Sequence, residues 1–268
     1  QIYVLAGILL ALATEIYQSY FSVAVCLMLA DLLLTCMEEQ KEVEGKYSWN
    51  DILKRGLQEL LFLIFGLLLY FVVNRIVLFC SGITLRDYQG ISEMGKVGFQ
   101  ELLSGISRCY SDFFRIVLSD VLQTNPTAIV RLGIFALGVI MLAALIKVLM
   151  DKQKTVGIKL LLLLFTMLFP MAVFLIYIMA AGGAYVYTIM AYSLVFIFLV
   201  PLAALERVLM RTEAHGEKER LLQTAVSWGG TMAASTAVFV YIWFANGNYQ
   251  ALQYTNYHDL AYYAVIMT

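Results

Sequence analysis

Charge is scarce in this sequence, and the scarcity decides the class of protein. Asp, Glu, Lys and Arg make up 14% of the residues, where ordinary soluble domains carry about a quarter. Neither sign is in surplus. The 18 basic and 19 acidic side chains leave a formal charge of -1, which excludes the basic stripe of a nucleic-acid binder. Histidine and cysteine are sparse and scattered. His215 and His258 stand far apart, and Cys26, Cys36, Cys80 and Cys109 include no C-x-x-C pair, so no metal site is readable. Cys80 and Cys109 fall in one region and either pair or remain two thiols in apolar surroundings; their spacing does not choose. Also absent are a Ser/His/Asp arrangement, a phosphate-binding Walker loop and a zincin motif, which removes the common soluble chemistries. No low-complexity segment and no inverted repeat interrupts the chain.

What remains is apolar. Hydrophobic residues reach 62% and the mean hydropathy is +0.81. A hydrocarbon core about 30 Å thick needs about 20 apolar residues as a helix, and runs of that length recur. The expected fold is all-α, a polytopic transmembrane helix bundle with about seven spans. Residues 2–37 are too long for one crossing and must turn at Glu15, Tyr17, Gln18 and Ser19. Residues 38–55 read as a polar connection, and further spans are expected at 57–80, 127–150, 156–178, 185–205 and 221–243. Gln1 lies inside an apolar run without the charged start of a signal peptide, and Thr268 ends a helical pattern. The chain therefore reads as one transmembrane domain over 1–268, truncated at both ends.

Residues 81–127 are too many for a plain connector. Within them Phe99, Leu102, Leu103, Ile106, Tyr110, Phe113, Phe114 and Val117 recur at three and four, opposite Glu101, Arg108, Ser111, Asp112 and Arg115. This predicts an amphipathic helix over 96–122 lying in the membrane interface. Asn125 and Pro126 then suit the start of the next span.

Lys and Arg in short connections stay on the cytoplasmic side. They gather at Lys41 to Arg55, at Lys147 to Lys159 and at Arg207 to Arg220, and the connections around Glu15 to Ser19, around Gly182 and Gly183 and after Trp243 have none. The long loop 81–127 and the tail after Trp243 are therefore expected outside. Tyr17, Tyr20, Tyr177, Tyr185, Tyr187, Tyr241 and Trp243 fall at the outer ends, as an aromatic belt does.

Polar groups at the outer ends are the candidate site, because charge in hydrocarbon is costly. Glu15, Tyr17 and Gln18 either face a cavity or form a solvated turn. Arg75 stands near the outer end of its span, where a guanidinium binds phosphate bidentately or simply reaches the headgroups. Arg86, Asp87, Tyr88, Gln89, Glu93 and Arg108 mix carboxylate, guanidinium and phenol in the manner of a sugar or phosphate site, a mixture that any solvated interfacial helix also shows. Asn246 and Tyr249 belong to a tail rich in amide and aromatic groups, the materials of a carbohydrate wall or of an interfacial belt. Asp31, inside the second span, reads as a helix-helix contact or an inner-interface residue.

Three stretches in order, EIYQSYFS, RDYQGISEMGKVG after NRIVLFCSG, and FANGNYQALQ, resemble the glucosyltransferase-domain family of polytopic bacterial membrane proteins. That family is related to the serotype-converting O-antigen glucosyltransferases and has a GT-C-like fold. The resemblance implies transfer of glucose from a polyprenyl-phosphate donor to a glycan acceptor at the outer face of the bacterial inner membrane. It maps the family's patterns onto Tyr17, Gln18, Tyr88, Gln89, Glu93, Asn246 and Tyr249. It also implies catalytic acids in a first outer loop, ahead of Gln1. No cofactor is implied, and a divalent metal is left open. Membrane lipid, the lipid-linked donor and the glycan are the implied partners, with no nucleic acid. Two other classes compete: a transporter or flippase, disfavoured by the mostly apolar midplanes, and a structural or polymerase-type component of surface-polysaccharide assembly.

Overall fold

The computed structural model describes residues 2–16, 19–38, 48–82, 98–118, 128–179 and 192–210, with Leu221, Thr224, Trp228, Gly229, Met232 and Ser235 also placed in helix. Every element among them is helical. In order they are α1 (Ile2–Ile16), α2 (Tyr20–Met37), α3 (Trp49–Ser81), α4 (Phe99–Leu118), α5 (Ala128–Met150), α6 (Val156–Val173), α7 (Ile176–Met179), a 3-10 turn (Tyr192–Val195), α8 (Phe196–Ala204) and a π-turn (Leu205–Met210). Four stretches are long and apolar enough to cross a membrane: Tyr20–Met37, Trp49–Ser81, Gly133–Met150 and Val156–Val173, with the shorter apolar helix Val4–Ile16 beside them. Their outward side chains are apolar too; Leu61, Leu68, Phe79, Phe135 and Leu160 are all more than half exposed. In water such a surface is untenable, and in lipid it meets acyl chains.

α2 is the central helix, packed against α1, α3, α6 and α8. Its 18 residues rise about 27 Å at 1.5 Å each, close to the thickness of the hydrocarbon. The core around it draws Cys26, Leu33, Met37, Leu162, Phe165, Val200 and Ala204 from α2, α6 and α8. α5 closes against α8, and α1 runs alongside α3.

The start of α3 corrects the expected loop 38–55. Ser48 caps the helix in extended conformation and Asp51 caps back onto its backbone N–H, a reciprocal capping box. WNDILKR thus forms the first turns of α3, not a connection, and its charges are the polar face of a helix still outside the apolar zone. At the other end Gly82 takes φ +65° and donates its N–H to the Leu78 carbonyl, a left-handed stop that suits glycine.

The expected span 156–178 also ends earlier. α6 stops at Val173, followed by a turn at Phe174 and Leu175 and the single helical turn α7. Pro170 lies in its last turn and withholds one backbone N–H from the ladder. Of the expected span 185–205, the described part begins as a 3-10 turn before α8. The amphipathic helix occupies Phe99–Leu118; Asn125 and Pro126 lie outside the described residues.

Candidate functional site

The two ends of the bundle differ in chemistry. At one end, Lys154 and Arg207 converge on the C-terminus of α2, where the last carbonyls of any helix lack partners, and Lys147 reaches the π-turn that follows α8. Lys154, 7% exposed, donates its ammonium to the carbonyls of Cys36 at 2.6 Å and Glu38 at 2.7 Å. Arg207 pairs with the Glu38 carboxylate at 2.8 Å, and Lys147 donates to the Val208 carbonyl. The favourable sign follows from the negative end of the helix dipole. Nearby, Arg55 bridges Asp31 at 2.6 Å and Glu59 at 3.2 Å, so Asp31 serves as a helix-helix contact between α2 and α3. Trp49 packs so tightly on Gly157 that a Cβ there would lie 2.8 Å from the indole. The described parts of all three basic connections therefore share one end.

The opposite end is built where α4 docks on the break in α6. Gly105 makes the approach possible: a Cβ at this position would come within 2.5 Å of the Tyr177 carbonyl oxygen. Around it, α4 supplies donors and acceptors to the broken segment. Cys109 donates its thiol to the Phe174 carbonyl at 3.2 Å, and Tyr110 donates to the Met167 carbonyl at 2.7 Å. Tyr177 donates to Asp112 Oδ2 at 2.5 Å, and Phe113 meets Phe169 edge-on. From the other side the buried Ser193 hydroxyl donates to the Val173 carbonyl at 2.6 Å. Carbonyls at and before the break thus accept from side chains of two other segments.

Electrostatics at this junction are local. Burial pushes the Cys109 thiol up to about 12. Burial first, and then the hydrogen bond to Asp112, raise the Tyr177 phenol, and the positive charge of Arg108 opposes that rise. Guanidinium, carboxylate and phenol therefore form one cluster. Arg108 and Asp112 sit four residues apart on α4, a spacing that places them on one face.

The helical periodicity had placed Asp112 on a solvated face; instead it is half-buried against Tyr177. The apolar stripe of α4 also divides. Leu102, Ile106, Tyr110 and Phe113 are half-buried on the bundle, with Gly105 and Cys109 fully buried between them, whereas Phe99, Leu103 and Phe114 face outward. The side chain of Val117 lies outside the described ones.

Three of the expected site residues can be located. Glu15 is exposed at the end of α1, Arg75 is exposed near the end of α3 and Arg108 is exposed on α4. Gly7 lies against Phe65, and Leu10 lies against Gly66, so α1 and α3 run parallel. That register brings Glu15 to within about one turn of Arg75 along the bundle. No hydrogen bond or ion pair joins Glu15, Arg75 and Arg108 among the described residues. Tyr17, Gln18, Arg86, Asp87, Tyr88, Gln89, Glu93, Asn246 and Tyr249 lie outside the described residues. Among the described residues no three His, Cys, Asp or Glu side chains come together as a metal site would need. All four cysteines are free, Cys80 exposed and the others buried. Tyr177 and the partnered state of Asp112 escaped the sequence reading, since their contact crosses 65 positions and no local pattern signals it.

Residues 1–198 match the family described as Glucosyl transferase GtrII. The chain belongs to that family. Neither a curated protein nor a solved structure matches it. The GtrII match takes in the whole of the junction just described, from α1 through α4, α6 and the 3-10 turn. Membership in a glucosyl transferase family implies a sugar donor and an acceptor as substrates, here on a bundle of membrane-length helices.

Proposed function

We propose that the protein transfers glucose from a polyprenyl-phosphate donor to a cell-surface glycan such as O-antigen, at the outer face of the bacterial inner membrane. The observation that carries the reading is the opposition of the two bundle ends: Lys154 and Arg207 meet the C-terminal end of α2 at one, and a docked amphipathic helix presents Arg108 and Asp112 at the other. Positive charge held on the cytoplasmic side puts α4 outside, in the interface, with Phe99, Leu103 and Phe114 in the acyl boundary. On this reading the bundle has about seven spans, with the apolar stretches 185–205 and 221–243 counted by length.

In this arrangement the donor phosphate lies at headgroup depth, where Arg75 and Arg86 reach it. A guanidinium binds phosphate oxygens as a planar fork and keeps its charge at any working pH. Glu15, Tyr17, Gln18, Asp87, Tyr88, Gln89, Glu93, Arg108, Asn246 and Tyr249 form the polar surroundings of the sugar and its acceptor. A lipid donor requires lateral access from the bilayer, and an interfacial helix with an apolar outer edge borders such an entrance.

The experiment is a comparison of donors. Full-length protein in liposomes, given an unglucosylated O-polysaccharide, is expected to transfer labelled glucose from polyprenyl phosphate and not from UDP-glucose. Direct use of the nucleotide sugar, or movement of the lipid-linked sugar across the bilayer without transfer, would refute the reading. Orientation is checked separately: a cysteine at position 153 should react with an impermeant maleimide only after the membrane is opened.

A further inference from the structure

At the α4 end of the bundle, Tyr20 and Tyr192 stack on each other, ring centroids 5.8 Å apart and planes 19° from parallel. They come from distant parts of the chain, Tyr20 as the first residue of α2 and Tyr192 as the first of the 3-10 turn. Both stay open, 39% and 42% exposed. Each is held by a buried neighbour. Ser193 is fully buried and fixed to the Val173 carbonyl at 2.6 Å, and Phe21, 6% exposed, packs into the small core cluster with Leu10 and Leu63. Glu15 is exposed near the end of α1, five positions before Tyr20 in the sequence.

We propose that Tyr20 and Tyr192 form a rigid aromatic platform that binds a pyranose unit of the acceptor glycan. The inference rests on the transferase reading given above and names the part of the acceptor that this site would recognise. A pyranose has a face of C–H groups that packs on an aromatic ring, and its hydroxyls need acceptors and donors around the rim. A tyrosine of the interfacial belt holds its ring at headgroup depth. Two rings pinned to each other by separate segments present a pre-formed surface there, which lowers the ordering cost of binding.

Saturation-transfer NMR on the full-length protein in nanodiscs tests this without any donor. The probes are methyl β-D-glucopyranoside, methyl β-D-galactopyranoside and methyl α-L-rhamnopyranoside. At least one should receive saturation on the C–H groups of a single ring face. Tyr20→Leu and Tyr192→Leu, which keep apolar bulk, should abolish the effect, and Tyr20→Phe should retain it. In transfer assays the Leu variants should raise KM for the acceptor roughly three- to tenfold, the worth of one aromatic contact, and leave KM for the donor unchanged. Absence of saturation for all three sugars, or equal saturation in the Leu variants, would overturn the platform. The two readings fail separately: tyrosine-dependent binding without lipid-dependent transfer sinks only the donor assignment, and transfer with unchanged acceptor KM in the Leu variants sinks only the platform.

Discussion

Tyr177 donates its phenolic hydroxyl to Asp112 Oδ2 across 2.5 Å, tying the segment after the break in α6 to the amphipathic helix α4. The bond sits beside Gly105, where α4 approaches the same segment at backbone distance. A hydrogen bond to an ionised group contributes about 1.5–3 kcal/mol. Tyr177→Phe and Asp112→Asn should each lower the thermal midpoint of the full-length protein, and the double variant should fall short of the sum by about that amount. Simple additivity in the cycle would show that the contact is not formed.

Thiol chemistry checks the same junction. Burial pushes the Cys109 thiol up to about 12, so at pH 8 it stays protonated, and the thiolate is the reactive form. Cys80, exposed at the end of α3, should react with N-ethylmaleimide and Cys109 should not. Raising the pH should bring Cys109 into reaction only as the thiolate fraction grows towards pH 12. Equal labelling of the two at pH 8 would mean that α4 is not docked.

At the other end, Lys154 donates to two carbonyls at the last turn of α2, those of Cys36 and Glu38. Lys154→Met keeps the apolar stem and removes the ammonium. Leaving buried acceptors unmatched costs about 1–3 kcal/mol each, so the thermal midpoint should drop, and Lys154→Arg should recover part of it. A midpoint unchanged by Met would place Lys154 in solvent.

The arginine pair tests the donor site. Arg75→Ala or Arg86→Ala should weaken use of the lipid donor about tenfold to a hundredfold, the loss of one charge-assisted contact. Lysine should restore only part, because it keeps the charge without the planar fork. Unchanged donor KM in both alanine variants would leave these arginines as headgroup anchors.

Much of the fold was legible because helix periodicity and apolar length are local properties. The pattern from Phe99 to Phe114 located α4 to within a few residues, and Glu15 to Ser19 marked the turn between α1 and α2. The start of α3 was misread although its signal was present: Ser48 and Asp51 form a capping box, and the charges after it belong to a helix surface. The break at Phe174 and the pairing of Asp112 with Tyr177 were not legible. A helical wheel offers an apolar side and a polar side, whereas α4 packs along the seam between them, and the partner that draws Asp112 inward lies 65 residues away. The placement of Lys147, Lys154 and Arg207 was half legible: their common side followed from charge placement, whereas their targets, the C-terminus of α2 for Lys154 and Arg207 and the Val208 carbonyl for Lys147, are tertiary facts.

The central claim is that sugar transfer from a lipid-linked donor takes place at the α4 end of the bundle, outside the cytoplasm. Membrane vesicles of opposite sidedness, both loaded with labelled polyprenyl-phosphate glucose and given an impermeant polysaccharide acceptor in the medium, test it most directly. Right-side-out vesicles should label the acceptor and inverted vesicles should not; labelling confined to the inverted vesicles would contradict the account.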